Sequence, residues 1–294
     1  RQLTNRVWAP LAEGLDSVSL SANWMWPCKN EGEDARLYRA VEACSDFACS
    51  LGINIPTGKD SLSMTQKYGN DKVYSPGTVI ISAGAEVSDI RKVVSPVLRT
   101  GIESTVYYID FSFDRLKLGG SAFAQSLNKV GKEVPTVQDS EYFAAAFNAV
   151  QELVKKELIL AGHDISAGGM ITTLLEMNFA NTEGGLEVSL DEIPEKDLVK
   201  ILFSENPGIL IQVEKCEEVE KILKHAGVAF IKLARPCEER HLLIHKDGAD
   251  YQFFIDHLRD VWFESSYLLD RKQSGEEAAK ARFLNYKEQP LQYS

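Results

Sequence analysis

Apolar positions along the chain fall into two recurring patterns, one with a period of two residues and one near 3.6, and the patterns interleave. SVSLSANWMW (17–26) alternates as a strand, and TVIISAGAEV (78–87), STVYYIDF (104–111), LEVSL (186–190), FIKLARP, HLLIH and YQFFI read the same way. Helical spacing is clearest over Asp34–Leu51, closed by Gly52, where Leu37, Val41, Cys44 and Ala48 fall at i, i+4, i+7 and i+11 on one predicted buried face. It recurs in a helix capped by Asp139 or Ser140, whose face carries Phe143, Phe147, Val150 and Val154 and whose end carries Lys155 and Lys156. Residues 1–14, RQLTNRVWAPLAEG, read as a helix end closed by Gly14. Shorter helices are expected from Gly119-Gly120 through Leu127, over Met170–Ala180 and over 216–226, and Leu158–Ala161 as a short apolar run. INIPTGKDSLSM reads as a short strand with a loop, and the segment 88–100 as a connector between two domains. Beyond about residue 258 the chain is charged and helix-prone, with Trp262, Phe263 and Leu268 as its only core-like residues; it reads as a linker or docking tail. Strands and helices interleaved in this way predict an α/β or α+β class.

Composition narrows the function classes. The chain has 294 residues, enough for two domains with a substantial core. Its 32 basic and 43 acidic side chains give −11, which argues against a nucleic-acid backbone or an anionic membrane as the main partner. No stretch approaches the roughly 18–20 apolar residues of a membrane span. Five cysteines without a CxxC pair indicate neither a zinc site nor a disulfide framework, and a reduced, cytoplasmic setting is expected. Cys44 and Cys49, five apart on one helix, read as core residues. His241 and His245 lie on a strand, where a spacing of four does not converge on a metal. The chain begins at Arg1, within a predicted helix and without an initiator Met, and reads as cut from something larger.

The chemistry concentrates in LILAGHDISAGGMITTLLEMNF. A buried strand would deliver His163 and Asp164 to its end, Ser166 follows, and Gly168-Gly169 open a helix. A helix N-terminus offers free N–H groups and partial positive charge to a phosphate, and Asp164 suits the Mg²⁺ that accompanies one. The competing reading is that Asp164 and Ser166 only cap the helix. GINIPTGKDSLSM fails as a P-loop, since five residues separate its glycines and Asp60 follows Lys59; a glycine turn presenting Lys59, Asp60 and Ser61 to a ligand, or a plain loop, remains. SENPG (204–208) reads as a turn, and Glu205 as a turn residue or a site carboxylate. No nucleophile elbow is present.

VSLSANWMWPC, INIPTGKDSLSM, LGGSAFAQSLNKVG, GHDISAGGM and LFSENPGILIQV, in that order, resemble the formylglycinamide ribonucleotide amidotransferase family, the large purine-biosynthetic synthases, over about Leu3 to Ser265. The wider superfamily includes aminoimidazole ribonucleotide synthetase, selenophosphate synthetase and thiamine-monophosphate kinase. The resemblance implies a two-domain aminoimidazole ribonucleotide synthetase-like architecture with a truncated first domain. Residues 1–99 would end the N-terminal synthetase-like domain, 100–257 form the C-terminal one, and 258–294 lead towards a missing glutaminase domain. It implies a ligase that phosphorylates an amide oxygen with ATP and displaces the phosphate with ammonia from glutamine. By the same resemblance Asp164 binds Mg²⁺, Ser166 contacts nucleotide, and Asn5 is the second member of a Glu-x-x-x-Asn metal pair whose Glu is replaced here by Arg1. Ala167 stands where relatives carry Asp. ATP or ADP and Mg²⁺ are the implied cofactors, the nucleotide of this half being structural in the large enzymes, and no catalytic residue falls in this stretch. The partners implied are the missing synthetase half and glutaminase, or a second copy of the chain. The rival expectations are a scaffold half without ligand binding and a stand-alone kinase or synthetase.

Overall fold

The computed structural model describes residues 2–285. Its first strand, β1 (Ser19–Met25), alternates in burial as its sequence predicts and sits between β2 (Asn54–Ser61, parallel) and β5 (Thr78–Gly84, antiparallel). The segment read as a strand with a glycine turn is therefore strand through Ser61. Gly58 is needed because a Cβ there would overlap the Ala22 carbonyl, and Pro56 is tolerated on an edge strand. β3 (Thr65–Tyr68) and β4 (Asp71–Tyr74) form a hairpin between β2 and β5. Helix α1 (Glu33–Ser50) covers one face of β1. It turns Leu37, Ala40, Cys44 and Phe47 inward, whereas Val41 is 41% exposed. Cys49 is exposed, so of the two cysteines expected in the core only Cys44 approaches it.

The second sheet has seven strands: β6 (Thr105–Asp110), β7 (Ala161–Asp164), β8 (Gly185–Ser189), β9 (Gly208–Val213), β10 (Phe230–Cys237), β11 (His241–Lys246) and β12 (Ala249–Phe254). They are ordered β12-β11-β8-β10-β6-β9-β7. All neighbours are antiparallel except β8 and β11. Alternation along β6 and β9 sends side chains to two cores. Tyr107, Ile109, Ile209 and Ile211 pack beneath α3 (Ser140–Lys155) and α6 (Cys216–His225), together with Val7, Leu11 and Leu20. Val106, Tyr108 and Leu210 pack on α4 (Gly169–Phe179), α5 (Leu198–Phe203) and Ile255 of α7 (Ile255–Ser274). Asp139 caps α3, accepting from Glu141 and Tyr142 N–H as predicted. A short α2 (Ala122–Ser126) is capped by Ser121, and α8 (Glu276–Leu284) folds back on α7. Trp262 and Phe263 dock against Phe179 of α4, and the predicted tail beyond 285 lies outside the described residues.

Residues 2–14 depart from their predicted helix: only 3-10 turns form, at Thr4–Arg6 and from Gly14. Leu3, Thr4, Val7, Trp8 and Leu11 are buried and Asn5, Arg6 and Glu13 exposed, so the spacing is helical, but Pro10 has no N–H to give a helical ladder and disfavours helical backbone at Ala9. Backbone bonds instead reach other segments, Val94 N–H to the Trp8 carbonyl, Ser88 N–H to Pro10 and Ala12 N–H to Glu86.

Between α6 and β10, Glu220 accepts from the Tyr107 hydroxyl at 2.9 Å, and Lys232 and Lys224 lie at 2.8 and 3.0 Å. Bonds from Lys232, Lys224 and Tyr107 hold the Glu220 carboxyl at about 2 rather than 4.5. A carboxyl depressed in the folded state contributes stability above its unfolded value and loses it as pH falls towards the folded one. Glu220→Gln is therefore expected to flatten the acid limb of stability between about pH 5 and pH 2. Urea unfolding across that range checks this, and an unchanged limb would refute it.

Candidate functional site

β7 is the short edge strand that carries the GHD residues. Gly162 belongs to it because a Cβ there would overlap the Trp8 ring, so the strand and the N-terminal segment lie in direct contact. That contact sets Asn5, on its 3-10 turn, beside Asp164 at the strand's end. Asn5 Nδ2 donates to Asp164 Oδ1 at 3.3 Å across 159 residues of sequence. Asp164 is 5% exposed and Asn5 faces solvent, so the pair forms a polar floor open on one side.

The loop between β7 and α4 shows which competing reading of Asp164 and Ser166 the geometry favours. The N-cap of α4 is Gly168, in the left-handed region at φ 90°, and no side chain caps the helix. Neither Asp164 nor Ser166 is spent on capping. Ser166 is half-buried, with its carbonyl accepting from Gly169 N–H at 3.1 Å. Ala167 is exposed. Arg1, the residue standing in for the pair's Glu, lies outside the described residues.

At the helix start expected to receive a phosphate, two of the N–H groups already have partners. The Gly168-Gly169 turn does not offer its N–H groups to an incoming phosphate. Gly169 N–H is taken by Ser166, and Gly168 N–H donates to Glu205 Oε1 at 3.0 Å. The same oxygen accepts from Ala122 N–H, at the start of α2, at 2.7 Å. Glu205 is 8% exposed, and its carboxylate sits where helix N-termini attract negative charge. Asn206 extends the junction, donating to Ser112 Oγ and the Arg115 carbonyl and accepting from Lys117 N–H. The GGSA, GHDISAGG and SENPG segments thus meet at one buried carboxylate.

The sequence motif places His163 beside Asp164 but assigns no role to it or to Glu176. His163 Nδ1 donates to the Asp164 carbonyl at 2.9 Å, and Nε2 lies 3.4 Å from Glu176 Oε2 on α4. Burial raises the Glu176 carboxyl, with the Asp164 charge acting in the same direction and His163 opposing. A Glu seven residues into a helix behind Asp164 was the signal available. Lys59, by contrast, lies on β2 and donates to Ser61 Oγ.

The donor set fits a Mg²⁺ ion that keeps most of its ligands from elsewhere. Asp164 offers a hard carboxylate oxygen, and a half-turn of the Asn5 amide offers a second, the small protein share typical of Mg²⁺ held with phosphates and water. Among the described residues no three His, Cys, Asp or Glu side chains converge as a metal cage. No described helix is long and apolar enough to cross a membrane.

Comparison with known proteins bears on this geometry. Residues 1–86 match the family model of the FGAR-AT PurM_N-like domain, and residues 105–235 that of the AIR synthase related protein, C-terminal domain. The probable phosphoribosylformylglycinamidine synthase of Caenorhabditis elegans is 36% identical over 279 residues, covering 88% of this chain and 21% of the relative. The human phosphoribosylformylglycinamidine synthase is also 36% identical over 279 residues, covering 92% and 21%. The chain thus spans about a fifth of the length of these relatives. Among solved structures, T. maritima PurL complexed with FGAR superposes with a TM-score of 0.61 at 16% identity, covering 87% of this chain and 44% of that one. The same protein complexed with ADP gives 0.60 at 15%, covering 86% and 38%. At such identities the likeness is one of fold, and it agrees with the mixed α/β class expected from the sequence.

Proposed function

The chain belongs to the phosphoribosylformylglycinamidine synthase family, and we propose that it supplies that family's large enzyme with a Mg²⁺–nucleotide site centred on Asp164. Asn5 would be the second metal-binding residue and Ser166 the contact to nucleotide. The observation that carries this reading is the Asn5–Asp164 contact, which joins a residue of the first matched domain to one of the second. A buried carboxylate is costly unless paired or metal-bound. Here its hydrogen-bond partner is a neutral amide at 3.3 Å, a weak hydrogen bond for a charge, and His163 Nδ1 stands off at 3.9 Å.

When bound, Mg²⁺ would neutralise phosphate charge and fix the nucleotide's position. This chain's part is to hold it: Asp164 anchors the ion, Asn5 closes one side, and His163 braces the Asp164 backbone. In the longer protein we infer ATP- and glutamine-dependent conversion of formylglycinamide ribonucleotide to formylglycinamidine ribonucleotide. Residues 1–99, 100–257 and 258–294 would serve as the end of one synthetase-like domain, a second such domain and a linker. The names of the relatives and the ADP and FGAR complexes of T. maritima PurL support this. The remaining synthetase half and the glutaminase are then its partners, or a second copy of the chain where these are missing, and the cytoplasm its setting. The isolated chain is expected to be inactive.

Titration calorimetry of ADP into the chain, with Mg²⁺ and with EDTA, tests the site. Metal-dependent binding that Asp164→Asn weakens by about 10-fold or more is expected, since removing a ligand charge costs at least what removing its supporting partner does. Binding indifferent to both metal and Asp164 would overturn it. The scaffold reading is favoured by Glu205, which already fills the start of α4 with an internal anion; an absence of any binding by the wild-type chain would assign that role.

A further inference from the structure

We propose that Gln151 is a positioning residue for this site, acting through Asn5. The inference rests on the Mg²⁺–nucleotide reading of Asp164. Asn5 belongs to a segment without a helical or strand ladder of its own, so its place beside Asp164 depends on what holds that segment. Gln151 projects from α3 into the core and is 3% exposed. Its Oε1 accepts from Leu11 N–H at 2.8 Å, and its Nε2 donates to the carbonyls of Val7 at 2.8 Å and Ala9 at 2.9 Å. Both amide hydrogens and the oxygen are therefore committed to one loop, 140 residues or more away in sequence. This is a primary amide doing for the loop's inner edge what a neighbouring strand would do.

The other anchors act on different groups. Val94, Ser88 and Glu86 bond Trp8, Pro10 and Ala12 from the connector side. Gln151 alone, among the described bonds, ties the loop to α3, and α3 packs on the same sheet face as Ile209 and Ile211 of β9, the strand paired with β7. Gln151 thereby indexes the loop to the frame that carries Asp164. Trp8, one residue after Val7, is seated on Gly162, two residues before Asp164, so a shift of the loop is transmitted to the Asn5–Asp164 contact.

A structural role alone would lower stability without singling out Asn5. The test is a double-mutant cycle on the full chain, reading Mg²⁺-dependent ADP affinity by calorimetry and exchange of the Leu11 amide by hydrogen–deuterium NMR. Asn5→Ala and Gln151→Met are each expected to weaken binding by about 10-fold, the range seen for residues that orient metal ligands. The double variant should be no weaker than the poorer single one, because both remove the same contribution. Leu11 exchange should quicken in Gln151→Met and not in Asn5→Ala. If Gln151→Met fails to fold, Gln151→Glu serves instead, keeping the acceptor for Leu11 while setting a carboxyl oxygen against the Val7 and Ala9 carbonyls. Wild-type affinity in the Gln151 variants, or losses that simply multiply in the double variant, would overturn the proposal alone. Absence of Mg²⁺-dependent binding in the wild type would instead overturn the reading beneath it, and the proposal with it.

Discussion

Glu205→Ala is expected to destabilise the chain by about 2–5 kcal/mol, because it removes a buried charged acceptor from two part-buried N–H groups, at roughly 1–3 kcal/mol each. The carboxylate is the point at which three loops meet: Ala122 N–H opens α2, Gly168 N–H opens α4, and Glu205 itself follows α5. At roughly 2–4 °C per kcal/mol for a chain of this size, thermal unfolding should shift downward by about 5–15 °C. Glu205→Gln sharpens the argument. It keeps an acceptor oxygen in place and loses the charge that favours both helix starts, worth about 0.3–1 kcal/mol for each terminus, so it should cost well under half as much. Scanning calorimetry of the three proteins decides the matter. Equal losses in Ala and Gln variants would mean that charge, not acceptance, holds the junction, and no loss in either would mean that water replaces it.

That junction also explains what was legible in the sequence and what was not. The glycines of GGSA and GHDISAGG and the SENPG turn were readable as motifs, but each motif alone predicts only a turn. Their meeting at one oxygen is a tertiary fact that no periodicity carries. Local signals did well where the answer is local: the α3 face of Phe143, Phe147 and Val150 and its Asp139 cap follow from spacing and side-chain chemistry. They did less well on α1, where a helix covering only a three-stranded sheet leaves Val41 in solvent and uses Ala40 and Phe47 instead. The N-terminal segment departs from its prediction because a helical spacing of buried residues (Leu3, Val7, Trp8, Leu11) is interrupted by Pro10, and the segment becomes a plug between α3 and β7. Asn5 could be placed near Asp164 only through the family resemblance. Gln151 left one clue, a long polar side chain next to Val150 on an otherwise apolar helix face, and a buried glutamine has to bond something.

Gly169→Ala is the second substitution expected to have a large effect, and its cost has two separable parts. Gly169 has φ +75°, where a side chain costs roughly 1–2 kcal/mol in L-residues. A Cβ there would also lie 2.6 Å from the Leu202 carbonyl oxygen and 2.7 Å from the backbone of Phe203. Those atoms are main chain at the end of α5, so no side-chain rotation relieves the clash, and α4 must withdraw from α5 at a further cost of about 1–3 kcal/mol. The sum, about 2–5 kcal/mol, should appear as a lower melting temperature. Because Gly169 opens the helix directly behind the Asp164–Ser166 loop, the surviving folded fraction should also bind Mg²⁺–ADP more weakly. Gly227→Ala supplies the control: its φ is +68° and nothing lies within 4 Å of its added Cβ, so only the conformational part applies. If the two variants melt alike, the close packing of α4 on α5 contributes nothing. If Gly169→Ala melts lower and still binds Mg²⁺–ADP as tightly as the wild type, the start of α4 plays no part in shaping the Asp164 loop.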